Sequence, residues 1–162
     1  MKTVKLMLTG AIIPILLLSC LSLGDPADLL DDMAWEFTEF MDEEAEVTVA
    51  VYYFTEGGAE SSYSDYVINH LTTSLSNALR EEEYSARLVS RSLLDRIMDE
   101  HSFQLSGLTD PERQLSLGKL LGADIIVAGT ITSIEEGYEV NAQLVEVESG
   151  IVLGGAVRTV YP

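Results

Sequence analysis

The chain is poor in the residue types that most site chemistry requires. It has one cysteine, one tryptophan, two histidines and four prolines in 162 residues. Only nine lysines and arginines stand against 27 aspartates and glutamates. A lone cysteine excludes an intrachain disulfide and a thiolate-based metal set. His70 and His101 have no cysteine or second histidine at ligand spacing beside them, and read as ordinary half-exposed residues. The formal charge of −18 gives a surface that repels nucleic acid and anionic headgroups. No nucleophile elbow, phosphate loop or dinucleotide fingerprint occurs. Gly154-Gly155 falls inside a strand pattern, and Gly57-Gly58 lacks the lysine of a phosphate loop. The acids do not form the D-x-D-x-D-G loop of a calcium site. These absences point away from an enzyme, a metal or a cofactor. Neither an internal repeat nor a low-complexity tract is present.

The first twenty residues are the most informative part of what is there. Lys2 and Lys5 precede an apolar stretch, Leu6 to Leu18, broken only by Thr9, Gly10 and Pro14. At about 13 residues this run is too short to cross a bilayer, which takes roughly 20. It has the layout of a secretory signal. Leu17-Leu18-Ser19-Cys20 resembles a lipobox, with cleavage between Ser19 and Cys20 and acyl chains added to Cys20. Leu18 is bulkier than the residue usual there. By the sorting habits of enteric lipoproteins, which this resemblance brings in, Leu21 after the cysteine, rather than Asp, implies the outer membrane, periplasmic side. Cleavage leaves about 143 residues, one domain by size. With Lys2 and Lys5 gone, seven bases remain against 27 acids, a charge of −20.

Residues 20–28 read as a short tether and 29–45 as an amphipathic acidic helix. Asp25-Pro26 is a helix-start signal, an N-cap followed by proline. Residues 25–46 hold ten acids and no base. Leu29, Leu30, Met33, Phe37, Phe40 and Met41 recur at three- and four-residue spacing and form one stripe. Such stripes usually pack on their own domain. The alternative is docking on a neighbouring subunit, with Met33, Phe37, Phe40 and Met41 as the contact residues.

Val47 to Phe54 is a β-branched and aromatic strand. A long helix follows from Tyr63, with Val67, Leu71, Leu75, Ala78 and Leu79 on one face, and ends near Arg80–Glu83. Tyr84 to Val89 predicts a second strand. Ser92 is the expected cap of a short helix with Asp95 at its third position. Asp110-Pro111 opens another helix that closes at Gly122. Ala123 to Ile131 is apolar on both faces, hence a central, covered strand. Tyr138, Val140, Ala142 and Leu144 alternate with Glu139, Asn141 and Gln143, and the phase slips at Leu144-Val145, the mark of a bulge. Glu148-Ser149-Gly150 turns into a last strand, Ile151 to Val160. The fold class is α/β (α+β): a mixed sheet of about five strands with a C-terminal antiparallel meander, packed by three to four helices.

Val89 to Pro111, Leu117-Gly-Lys-Leu-Leu-Gly-Ala-Asp to Ile131, Val49 to Phe54, and Leu144 to Val152 together resemble a known group. It is the periplasmic domain shared by FlgO-type outer-membrane lipoproteins, the curli component CsgG and the penicillin-binding-protein activator LpoB. The resemblance covers roughly residues 46–160, and residues 46–162 are taken as this domain. Its most specific part is Gly118-Lys-Leu-Leu-Gly-Ala-Asp124 followed by the Gly129-Thr130 strand. These residues look structural. The resemblance implies a non-enzymatic envelope lipoprotein that assembles or scaffolds a surface structure, flagellar or curli-related. Its partners would be the membrane, through Cys20, and envelope proteins including copies of itself. The curli channel inserts membrane hairpins into this domain. Here only Ser133 to Gly137 lies at the first insertion point, and the sequence stops at Pro162 where a second would follow. A regulator of a cell-wall synthase is the alternative. It would call for a long linker, and Cys20 to Asp25 is short.

Overall fold

The computed structural model describes residues 25–41, 45–57, 61–103 and 110–161. The lipobox, Ser19 and Cys20, lies outside the described residues.

Asp25 starts the first helix, α1 (Pro26–Thr38), by accepting from the Ala27 N–H at 2.9 Å, with Pro26 at the first position. The helix therefore begins three residues before the expected 29, taking up part of the expected tether, and ends seven before 45. It stops because the Thr38 hydroxyl donates to the Trp35 carbonyl and the amides of Phe40 and Met41 tighten into three-residue turns. β1 (Val47–Glu56) follows, then α2 (Ser62–Glu81), which is opened by a reciprocal cap between Ser61 and Ser64. β2 (Ala86–Leu88) is only three residues, because β1 offers it partners only at Val47, Thr48 and Val49. α3 (Arg91–Glu100) is capped by Ser90, not Ser92. The Val89 amide still bonds to Val49, so the strand-like pairing ends there and Ser90 is the first residue free to cap. α4 (Pro111–Leu121) starts on Asp110 and ends at Gly122, whose φ of +65° is the left-handed conformation that favours glycine.

β3 (Ile125–Ile134), β4 (Gly137–Glu146) and β5 (Val152–Val160) form the meander. The sheet order is β2-β1-β3-β4-β5, with β1 parallel to β2 and β3, and the last three antiparallel. β3 is thus central, as its two apolar faces require. The register of β4 against β5 shifts between Leu144 and Val145, at the expected slip.

Two cores lie on opposite faces. α1 and α2 cover one, where Leu30, Met33, Phe37, Leu71 and Leu75 meet Val49, Val127, Leu144 and Val160. α3 and α4 cover the other, where Leu94, Met98 and Leu117 meet Tyr52, Ile126 and Val147. No residue of β5 joins this second core, and β4 joins it only through Val145. The outer half of that face is open: Asn141 and Gln143 on β4, and Gly155, Val157 and Thr159 on β5, alternate with residues turned toward α1.

Candidate interaction surfaces

Three of the four side chains considered for docking are spent on self-packing. Met33 and Phe37 are fully buried and Met41 nearly so. The physical reason is their place on α1: its inner stripe is sandwiched between α2 and the β4–β5 end of the sheet. Only Phe40 is surface-accessible, 38% exposed, and its ring rests over Gly154, where a Cβ would come within 2.5 Å of it. Beside it, Met41, Val47, Lys119, Asp124, Glu146 and Leu153 contribute to an open groove of about 520 Å³ at one end of the sheet. Asp124 has a structural role at its edge. Its carboxylate accepts from the Thr48 amide at 2.7 Å and its own amide donates to the Thr48 carbonyl at 2.8 Å, locking β1 to the start of β3.

One cluster that sequence reading did not assemble joins α1 to α2. His70 Nε2 lies 3.1 Å from Asp31 Oδ1, and the Ser74 hydroxyl donates to the same oxygen. The residue types are those of an acyl-transfer triad, but the order is wrong. In a triad the imidazole lies between the hydroxyl and the carboxylate, so that it can take the hydroxyl proton. Here the carboxylate is at the centre, and Ser74 is buried. The hydroxyl also lies 3.0 Å from the His70 carbonyl within its own helix. The arrangement staples two helices and activates no nucleophile. His101, by contrast, sits at the exposed end of α3 against Phe103.

A row of aromatic rings runs along α2 beside this staple. Tyr63 stacks on Tyr138 of β4 with centroids 4.0 Å apart, Tyr66 on Tyr63 at 5.6 Å, and His70 on Tyr66 at 5.7 Å. Burial, with smaller contributions from Tyr66 and Tyr138, pushes the Tyr63 phenol up to about 12. Tyr66 is raised by burial and then by the charges of Asp25 and Asp31. Tyr52, raised by burial alone, donates to the Gln114 carbonyl at 2.9 Å and ties α4 to β1. All three are neutral hydroxyls at physiological pH, not bases. Among the described residues no group of three or more His, Cys, Asp or Glu could hold a metal, and no helix is long and apolar enough to cross a membrane.

The β5 edge also escaped sequence reading, although its signal was present: Ser149 to Pro162 contains no acid in a chain that has 27. Ile151, Val152 and Val157 there are 60%, 52% and 50% exposed.

Comparison with known proteins follows the fold. The LpoB C-terminal domain from Salmonella enterica superposes with a TM-score of 0.68 at 13% identity, over 86% of this chain and all of that one. The same domain from Escherichia coli gives 0.67 at 14% identity, with the same coverage. The lipoprotein GNA1162 from Neisseria meningitidis gives 0.57 at 14% identity, over 72% of this chain and 81% of that one. At these identities the likeness is one of fold. No curated protein matches by sequence. Residues 39–143, more than half of the chain, match the family described as curli production assembly/transport component CsgG, and the chain belongs to that family.

Proposed function

We propose that this chain is a lipid-anchored protein of the cell envelope, held on the periplasmic side of the outer membrane by acyl chains on Cys20. It works without catalysis, as an assembly or scaffolding factor that binds other envelope proteins for a surface structure of the curli or flagellar kind. The observation that carries this reading is the family match over residues 39–143 in a chain that has Leu17-Leu18-Ser19-Cys20 after an apolar stretch. The site chemistry supports it. The Asp31, His70 and Ser74 cluster is wired as a helix staple, and the buried tyrosines remain protonated. A second reading, regulation of a cell-wall synthase, draws on the likeness to the LpoB domain, which is covered over its whole length. Stimulation of a purified transglycosylase by the chain would favour it.

The test is a membrane pull-down with the lipidated protein beside its Cys20→Ala variant. The expected result is co-purification of envelope proteins with the native chain. The variant should stay unprocessed or leave the membrane. Normal membrane retention and mobility of Cys20→Ala, or a native chain that brings down no envelope protein, would overturn the proposal.

A further inference from the structure

β5 is a sheet edge, and among the described residues no strand pairs with its outer side. Such an edge presents a row of amide and carbonyl groups that template another strand. Proteins ordinarily blunt it by shortness, proline, or charge turned toward the edge. The opposite edge, β2, is blunted by its three-residue length. β5 is not. It runs nine residues, about 30 Å, with no proline and no acid. Its one charge, Arg158, turns toward α1, where Glu36 accepts from it at 2.6 Å. The exposed side chains along it are the apolar Val152 and Val157 and the uncharged Thr159, with Ile151 just before.

The distribution of charge selects the occupant. A basic segment from another protein would be drawn to the carboxylates, and β5 has none. Two copies of a chain of charge −18 repel over most of their surfaces, and β5 is a long edge along which they meet without opposing carboxylates. The strand is also self-complementary. In an antiparallel pair centred on Ala156, Val157 faces Gly155 of the other copy on the open face. A bulky residue thus meets a residue with no side chain, twice, across a two-fold axis.

We propose that β5 pairs antiparallel with β5 of a second copy about a two-fold axis at Ala156, joining two five-stranded sheets into one closed dimer. This deepens the reading of the chain as a protein that works through protein contacts, and rests on it.

The test uses the full chain in a neutral detergent. Sedimentation is followed from micromolar to near-millimolar concentration, and amide hydrogen exchange is compared at the two ends of that range. The expected result is a dimer in which the amides of Val152–Val160 exchange more slowly. Val157→Lys places like charges near each other across the axis and should raise the dissociation constant roughly tenfold. Thr159→Lys, also on the open face, should act in the same direction. Leu120→Lys, which removes an exposed apolar residue on α4, should leave dimerisation unchanged. A chain that stays monomeric throughout overturns the proposal, as does a dimer insensitive to both β5 variants. Slowing of β5 exchange only when an envelope protein is added would assign the edge to a foreign strand and also overturn it. A monomer that still brings down envelope proteins defeats this proposal alone. A β5 dimer from a membrane pull-down without partners defeats the functional reading instead.

Discussion

Replacing Phe37 by alanine tests whether α1 is part of the core or a docking element resting on it. Phe37 is fully buried, among Leu30, Met33 and Ala34 of its own helix and the apolar residues of α2 and β5. Truncating a buried phenylalanine costs about 3–5 kcal/mol, because the lost transfer energy is joined by the energy of the cavity left behind. For a domain of this size each kcal/mol lowers Tm by about 3 °C, so Phe37→Ala should lose roughly 10–15 °C. Phe40 is the internal comparison. It lies on the same stripe, yet it is partly exposed and touches the sheet over Gly154. Phe40→Ala should cost about 1 kcal/mol and a few degrees. The assay is thermal unfolding of the full chain in detergent, followed by circular dichroism. Equal, small shifts for the two variants would refute the reasoning: α1 would then not be held by its stripe, and Phe37 would be available to a partner.

Two further outcomes follow from the packing and the tyrosines. At Gly129 a Cβ would lie 2.2 Å from the Asn141 carbonyl oxygen and 2.3 Å from the Phe54 ring, in the middle of the sheet. Gly129→Ala should therefore cost about 3 kcal/mol or more, seen as a lower Tm or loss of folded protein, whereas an unchanged Tm would mean that β3 and β4 are not paired as described. In alkaline solution the folded state keeps the Tyr63 proton to about 12, while the unfolded chain releases it near the ordinary phenol value of 10.0. The unfolded state then binds fewer protons over that window, so the stabilisation held below pH 10 is lost as pH rises toward 12. Phenolate absorbance should show Tyr52 and Tyr63 ionising later than a free phenol. Tyr63→Phe should remove one late-titrating group.

The parts of the fold that are legible in the sequence are those set by neighbours in the chain. Asp25-Pro26 and Asp110-Pro111 act through one carboxylate and the amide two residues on, and Gly122 through its own φ. The alternation from Tyr138 to Gln143 reports a strand covered on one face, whatever covers it. What escapes is set by distant partners. β2 is shorter than its sequence allows because pairing with β1 stops at Val49. The choice of Ser90 over Ser92 depends on Val89 reaching Val49 across the sheet. Asp31 is 39 residues from His70 and 43 from Ser74, and only the packing of α1 on α2 brings them to one carboxylate. The β5 edge is a different case. Its missing acids are visible in the sequence, but absence of charge means burial in a central strand and a contact surface in an edge strand, and only the strand order distinguishes the two.

That strand order also bears on how the domain meets a membrane. A membrane-crossing hairpin needs two strands of about 9–11 residues each beyond the soluble sheet. The β3–β4 pair instead closes at once: Ile134 is paired with Gly137, leaving Glu135 and Glu136 as the turn. This connection therefore supplies no membrane strand, and two carboxylates at its tip disfavour contact with an anionic leaflet. The acids of α1 impose a similar repulsion at the end of the domain nearest Cys20 in sequence. Attachment through acyl chains is compatible with both, because it needs no apolar or basic face on the domain itself. A domain held in this way keeps its sheet edges free for protein partners.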